Sequence, residues 1–373
     1  LTLAGGTLRH AAASGLSNAI TLSGDAASTT IDFGIDSLEV LVVGGGGGGG
    51  GGVSNVSYPA GGGGGQAVEA SGLQPTAASL AVVVGGGGGY AAGTSGVGAD
   101  GSSSSILSVT ASGGIGGGTA GPGVGGASGS GNAGGANLGT TAAGGGGGQT
   151  AAGQQGVGGA GRRGGHGGAG LTSSITGTDL MYGFGGGGGA PSTASLSLNG
   201  DDTSTNPRAN SGGGGRATSG PSATTGDGAD GIVIVRYQGD QAATGGQIDT
   251  SSVPGYTIHT FTANDTLAFS ASRTISGAIG GSGGFTFNSI GTLELTGTNS
   301  YQGGTIVTSG TLEAASATAL GSGGITTGSA GTVRITACRL PSSPTAARAA
   351  LILVATVASD TMRPSQIRAI RAS

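Results

Sequence analysis

The three histidines of the chain are the first candidates for chemistry, and they lie far apart in sequence. His10, His166 and His259 occur in regions of different composition. Serine is abundant, but no Ser/His/Asp arrangement carries a local signature of nucleophilic catalysis. His259 alternates with the apolar Ile258 and Phe261, which predicts a strand residue that faces solvent. We therefore assign no catalytic residue and predict that the chain is not an enzyme.

Acidic residues are the next candidates, because carboxylates can hold a metal ion. Asp227 and Asp230 lie in the segment Gly226–Ile232, which in part resembles the calcium-binding nonapeptide repeat. That site needs stacked copies whose oxygens converge, and the chain shows one copy. We interpret the segment as a polar turn that leads into a strand, and Asp201-Asp202 as a solvated loop. No metal site and no cofactor is predicted.

The basic residues give little support for an anionic partner. All 13 basic residues are arginine, so the Gly-Lys-Ser/Thr motif of a phosphate-binding loop cannot occur. The net charge of −4 provides no general basic field for nucleic acid. Arg162 and Arg163 form a small basic patch with His166, for which an anion or glycan contact is the functional alternative to a solvated surface. We predict no nucleotide site and no nucleic-acid partner.

Glycine dominates the composition of the elements that would position these residues. The chain has 93 glycines among 373 residues, and only 8% of its residues are charged. A glycine costs about 0.5–1 kcal/mol relative to alanine in a regular element, so ordinary helical or doubly wound domains are excluded. Most glycines lie between Gly44 and Gly231. The single cysteine, Cys338, excludes an internal disulfide framework.

The regions on either side of the glycine-rich part show short strand patterns. Thr30–Phe33 and Thr257–Phe261 are typical of strands that alternate apolar and polar residues between turn residues. Such short strands favour a solenoid, in which each turn buries its apolar face against the next. The apolar run 349–358 is shorter than the roughly 20 residues of a spanning helix, so we predict no membrane insertion by this segment.

One of these regions resembles a known bacterial repeat. Gly291–Val307 has the strand, the Gly-Thr-Asn-Ser-Tyr-Gln-Gly-Gly-Thr turn and the second strand of the autotransporter passenger-associated β-strand repeat. Ser309–Gly323 continues the pattern, and Leu1–Phe33 is a looser match. The resemblance implies a right-handed parallel β-helix on a bacterial surface protein.

The central region is similar to the glycine-rich domain of bacteria and phages. Leu38–Val43 runs into the nine glycines Gly44–Gly52, and the region closes on the strand Ile232–Tyr237. The lead-in that precedes such domains matches Tyr256–Thr262, which here follows the domain. We interpret this order as a truncated second copy.

Three physical states of the glycine runs remain open from the sequence. The first is a flexible coil, which is the usual reading of Gly/Ser-rich composition. The second is a bundle of threefold polyglycine II strands that bond laterally, with the segments 53–60, 90–112, 171–184 and 190–211 as loops at its ends. The third is a set of anion-binding nests at turns.

The sequence thus predicts an all-β chain, a partial right-handed parallel β-helix interrupted by a glycine-rich module of polyglycine II type. The expected parts are β-helix strands at 1–37, the glycine-rich domain at 38–237, the passenger repeat at 238–337 and an Arg-rich tail, out of frame or without function, at 338–373.

The expected role is a non-catalytic structural or adhesive segment of an extracellular or outer-membrane surface protein. Its expected partner is a surface receptor or glycan of unknown identity, with lateral self-association as a further expectation. The alternatives are a phage or prophage tail-fibre adhesin and the non-catalytic stalk of a secreted hydrolase.

Overall fold

A computed structural model gives the arrangement of most of the chain. It describes residues 2–3, 6–9, 20–22, 29–32, 35, 37–52, 58–75, 77–91, 96–119, 124–137, 142–158, 162–189, 207–217, 226–269, 272–316, 318–335 and 361–362. His10, Asp201-Asp202, Cys338 and nearly all of the tail lie outside the described residues, so the predictions made for them stay untested.

The described residues contain strands and no helix, as the all-β prediction requires. The strands are β1 Thr2–Leu3, β2 Gly6–Arg9, β3 Ile20–Leu22, β4 Thr29–Asp32, β5 Leu38–Val43, β6 Ala67–Leu73, β7 Ser79–Val83, β8 Ser104–Ile106, β9 Val109–Ala111, β10 Leu171–Ser173, β11 Leu180–Tyr182, β12 Ile232–Gln238, β13 Ala243–Thr244, β14 Gln247–Asp249, β15 Tyr256–Phe261, β16 Asp265–Phe269, β17 Ser272–Ile275, β18 Ile279–Gly281, β19 Phe285–Leu295, β20 Thr305–Ala314, β21 Ile325–Ile335 and β22 Thr361–Met362.

A parallel β-solenoid forms the first part of the fold. Phe285 of β19 pairs with Thr305 of β20, which pairs with Ile325 of β21, so each turn takes about 20 residues. The inward side chains of successive turns stack into one apolar core that includes Phe285, Phe287 and Leu293. Each fully buried side chain of this size contributes about 1.5–3 kcal/mol. The predicted solenoid is confirmed as a parallel β-solenoid.

The passenger-type turn of β19 and β20 is held by one buried asparagine. Asn299 is 7% exposed, and its Oδ1 accepts a hydrogen bond from the N–H of Ile279 in the preceding turn at 2.8 Å. Its Nδ2 donates to the carbonyl oxygen of Ala319 in the following turn. The amide side chain thus bonds backbone groups of the turns on both sides and joins three turns of the solenoid.

The glycine-rich region is inserted within one turn of this solenoid, between β4 and β17, which both pair with β19. β4 pairs in parallel with β19, with Thr29 opposite Phe285, although more than 250 residues separate the two in sequence. β3 likewise pairs with β18, and β1 with β3. The chain therefore leaves the solenoid after β4 and re-enters it at β17, which confirms that the solenoid is interrupted by the glycine-rich module.

Two five-stranded sheets make the base of the inserted region. Their orders are β14-β15-β12-β5-β6 and β13-β16-β7-β8-β9, and all their pairs are antiparallel. The core between them includes Val40, Val42, Leu80 and Val235. β15 is an inner strand of the first sheet, beside β12, and not the start of a second module.

The glycine runs continue directly from these strands as one bundle. The segment 44–51 follows β5, and its N–H groups donate in rotation to three neighbouring segments. Segment 60–66 accepts from the N–H groups of Gly44, Gly47 and Gly50. Segment 96–102 accepts from those of Gly45, Gly48 and Gly51. Segment 226–229 accepts from those of Gly46 and Gly49. A partner that returns at every third residue is the pattern of a threefold helix without internal hydrogen bonds.

Three further segments surround the same central strand. Its carbonyl oxygens accept hydrogen bonds from a first segment through Gly114 and Gly117, from a second through Gly88 and Ala91, and from a third through Gly215. The strand therefore has six neighbours. An added Cβ at Gly47 or Gly62 would lie 2.2 or 2.1 Å from a neighbouring carbonyl oxygen. The polyglycine II hypothesis is therefore confirmed for the described residues, and the flexible-coil alternative is wrong there.

The loops expected at the ends of the module differ from the prediction. Segment 90–112 contains a bundle strand and the hairpin of β8 and β9, and segment 171–184 contains the hairpin of β10 and β11. The prediction failed because glycine runs mark only part of each bundle strand, and Ala or Ser fills positions at its surface. Residues 53–57 and 190–206 lie outside the described residues, and the predicted domain boundaries at 37, 237 and 337 stay predictions.

Candidate functional site

The acidic residues of segment 226–231 have a structural task at the edge of the bundle. Asp230 Oδ1 accepts a hydrogen bond from the N–H of Gly87, and Asp227 Oδ1 accepts one from the N–H of Tyr90, each at 2.7 Å. Asn264 Oδ1 accepts from the N–H of Val84 at 2.8 Å. These three donors are spaced by three residues, so side-chain oxygens take the place of a missing neighbouring strand along this row.

The two aspartates of the segment that in part resembles the calcium-binding repeat make specific backbone contacts. Asp227 and Asp230 are both directed to backbone N–H groups rather than to each other. Within the described part of the chain, no group of three or more His, Cys, Asp or Glu residues could hold a metal ion. The polar segment leads into β12, as the sequence indicated.

His259 lies in a buried polar network, and the prediction that it faces solvent is wrong. It is 0% exposed, and its Nδ1 donates to the carbonyl oxygen of Gly245 at 2.8 Å. Tyr237 donates through its hydroxyl to His259 Nε2 at 3.1 Å, and the same hydroxyl oxygen accepts from the N–H groups of Ala242 and Ala243. Every polar atom of the pair is satisfied by a neutral imidazole, so the network fixes the turn after β12.

Burial lowers the pKa of His259 below its ordinary value of 6.5, although the Gly245 carbonyl acts in the opposite direction. An unfolded chain therefore takes up a proton near pH 6.5 that the folded chain refuses. Stability is complete above that pH and falls below it, by up to about 1.4 kcal/mol per pH unit. We expect the free energy of unfolding, measured in urea between about pH 7.5 and about pH 5, to decrease more for the natural chain than for His259→Gln. Equal slopes would contradict this assignment.

An open groove on the outer face of the first sheet gathers several unused polar groups. Its volume is about 290 Å³, and it is lined by Glu39, Val40, Glu69, Ala70, Ser71, Ser174, Ile175 and Arg236. Glu39 and Arg236 are directly opposite each other on β5 and β12, and Glu69 lies on the edge strand β6. The hairpin of β10 and β11, through the turn that contains Ser174 and Ile175, forms the opposite wall.

The charges of the groove are unequally engaged. Arg236 forms an ion pair with Glu39, donates through Nη1 to the carbonyl oxygen of Ile175 at 3.1 Å and lies over the ring of Tyr256. Its guanidinium is thus held in place by three elements. Glu69 is exposed and forms no ion pair among the described residues. One unpaired carboxylate and two serine hydroxyls therefore remain available to a ligand.

The basic patch predicted from the sequence lies elsewhere. Arg162 and Arg163 are exposed on an outer strand of the bundle, where Arg163 exchanges backbone hydrogen bonds with Val157. The backbone of His166 accepts from Gln154 on the neighbouring strand. These residues share one strand, but none of them lines the groove.

Sequence reasoning missed the groove, although a signal was present. Glu39 is the single charged residue of β5, and Arg236 is the single charged residue of β12. The other residues of the two strands are buried, except for Gln238 at the end of β12. Opposite charges in two strands of this kind indicate a cross-strand pair on a face that is not fully covered.

The described residues thus form a parallel solenoid that carries an inserted polyglycine bundle. A family model described as a glycine-rich domain matches residues 21–238, which is more than half of the chain. The chain therefore belongs to the glycine-rich domain family. A second model, the passenger-associated-transport-repeat, matches residues 288–314. Both resemblances seen in the sequence are confirmed.

The repeat belongs to autotransporter passenger domains, which implies a secreted or outer-membrane surface protein and agrees with a structural role. No curated protein matches the chain. Among the described residues, no helix has the length and apolar character needed to span a membrane.

Proposed function

We propose that this chain is a non-catalytic, adhesive segment of a bacterial surface passenger. The observation that supports the proposal is the insertion of the glycine-rich module into one turn of a solenoid that carries the passenger repeat. In this role the solenoid is a stalk, and the module is a rigid body held at its side. Rigid scaffolds that present exposed segments are common supports for recognition.

The groove beside Glu69 is the proposed contact for a glycan. Its volume accommodates one sugar ring, and its free groups are a carboxylate and two hydroxyls, which bind sugar hydroxyls by hydrogen bonds. Because Glu39 already neutralises Arg236, the groove keeps the negative charge of Glu69. This charge favours neutral or amino sugars and disfavours sialylated or sulfated ones.

The proposal predicts a specific binding pattern for the full chain on a glycan array. We expect neutral or amino-sugar glycans to bind and Glu69→Gln to weaken their binding at least about tenfold, since a hydrogen bond to a charged group contributes about 1.5–3 kcal/mol. Asp179→Asn is the matched control, because Asp179 is exposed and does not line the groove. Titration calorimetry of the best glycan with the three proteins measures the difference.

Two outcomes would contradict the proposal. Binding by the natural chain that Glu69→Gln leaves unchanged would place the contact outside the groove. An absence of binding to any glycan, together with no retention of labelled chain on bacterial or animal cells, would reject the adhesive role itself and leave a spacer.

A further inference from the structure

Two glycines at the surface of the bundle are not required by the chain itself. In the run Gly85–Gly89, an added Cβ at Gly87 or Gly88 would lie 2.0 or 1.9 Å from a backbone carbonyl oxygen. At Gly86 and Gly89 it would meet only a side-chain oxygen, at 3.8 and 3.9 Å, and neither residue has a left-handed φ. Since glycine costs stability relative to alanine, its presence at these two exposed positions needs another reason.

The backbone N–H groups at these positions also lack an acceptor, although their carbonyl oxygens accept from Ser102 and Ala99. The N–H groups of Gly86 and Gly89 donate to no described group, whereas the N–H groups at 85, 87, 88, 90 and 91 all have acceptors. On the neighbouring strand 96–102, the N–H groups of Val97 and Asp100 likewise have no acceptor within the described part of the chain, in the same three-residue spacing. The carbonyl oxygens of Gly87 and Tyr90 accept no hydrogen bond among the described residues, so the face carries both donors and acceptors.

The adjacent row shows that this chain caps such groups where no strand follows. Asn264, Asp230 and Asp227 cover the donors of Val84, Gly87 and Tyr90 with side-chain oxygens. No side chain of a described residue accepts a hydrogen bond from the N–H groups of Gly86 and Gly89. Natural proteins block exposed strand edges against pairing with a second chain. The capped row, formed by the N–H groups of Val84, Gly87 and Tyr90, is therefore a closed edge. The bare row, formed by those of Gly86 and Gly89, is an open one.

Large apolar side chains border the bare row. Val97 is 62% exposed and Tyr90 is 46% exposed, and they lie on the same two strands as the unpaired N–H groups. Val83, at the end of β7 and three residues before Gly86, is 41% exposed. Exposed apolar groups that flank unpaired backbone are typical of a protein contact rather than of a solvated surface.

We propose that strands 85–91 and 96–102 form the interface between two copies of this chain. A face that holds both donors and acceptors at one spacing is complementary to itself, as a twofold contact requires. The interior of the bundle shows the same contact already made, because Gly45 and Gly48 donate to Ser102 and Ala99 across bare glycine backbone. The absent Cβ atoms at Gly86 and Gly89 let a second backbone approach equally closely. Val97 and Tyr90 become buried at the margin.

The full chain tests this proposal in sedimentation velocity between about 1 and about 100 μM. We expect a reversible dimer. The double variant Gly86→Ala, Gly89→Ala and the variant Val97→Ser should each weaken association at least about tenfold. Val157→Ser is the control, since Val157 is exposed on another outer strand. Thermal melts at the lowest concentration should be the same for all variants, because the added methyl groups meet only an aspartate oxygen at ordinary contact distance.

Either of two results would overturn the proposal. One is a chain that stays monomeric up to the highest concentration. The other is a dimer whose dissociation constant is unchanged in both the double alanine variant and Val97→Ser while their melts match the natural chain. Glycan binding through the groove is independent of both results, so this proposal and the proposed adhesive function fail separately.

Discussion

Alanine at Gly88 is expected to destabilise the glycine bundle severely, whereas alanine at Gly89, the next residue, leaves its stability nearly unchanged. The Cβ of Gly88→Ala would lie 1.9 Å from the carbonyl oxygen of Ala99, and that oxygen belongs to a strand fixed by its own neighbours. The strands must separate, which breaks hydrogen bonds on both sides. We expect the free energy of unfolding to fall by more than about 3 kcal/mol.

The control is unusually close, because Gly89 is the next residue of the same run of glycines. An added Cβ there is 3.9 Å from Asp227 Oδ1 and touches no backbone. Thermal unfolding followed by circular dichroism, at a concentration where the chain is monomeric, should show a decrease of roughly 6–12 °C for Gly88→Ala and little change for Gly89→Ala. Equal effects would mean that the bundle is not packed through bare backbone at Gly88.

The second large effect is expected in the solenoid, at Asn299. Asn299→Ala removes the acceptor of the Ile279 N–H and the donor to the Ala319 carbonyl. Ile279 and Ala319 are both fully buried, so their backbone groups cannot turn to water. Each unsatisfied group costs about 1–3 kcal/mol, and we expect a total loss of about 2–5 kcal/mol.

Asn288→Ala is the matched control for this change. Asn288 is exposed, and its Oδ1 accepts from the hydroxyls of Thr308 and Ser309, which can bond to water instead. Its replacement should change the free energy of unfolding by less than about 0.5 kcal/mol. Urea unfolding of both variants measures the difference, and a loss at Asn288 as large as that at Asn299 would show that the buried bridge between turns has no special weight.

The fold was accessible from the sequence where side chains carry a periodic signal. The short strands with alternating apolar residues, and the loop around Asn299 and Tyr301 that resembles the passenger repeat, predicted a solenoid. The glycine runs indicated polyglycine II only as one of three states. Glycine has no side chain that could report a neighbour, so the partners of Gly44–Gly51 could not be derived from the sequence.

The candidate sites were less accessible, because they depend on which strands become neighbours. The sequence predicted a polar turn at Asp227 and Asp230 but not their contacts, since the row of N–H groups that they cover is more than 130 residues away. The prediction that His259 faces solvent failed because an alternating pattern does not tell which face of a strand is covered. Here Tyr237 and the turn at Gly245 cover the face that holds His259. The pair of Glu39 and Arg236 needed the register of β5 and β12.

The place of insertion has a mechanical consequence. Because β4 and β17 both pair with β19, the two ends of the inserted region lie in the same turn of the solenoid. A pulling force along the solenoid passes through the ladder between β4 and β19 and bypasses the glycine bundle. The glycine bundle therefore lies outside the path that carries the force. A different inserted domain whose two ends join the same turn, beside β19, could replace the glycine bundle without changing the length or tensile strength of the stalk.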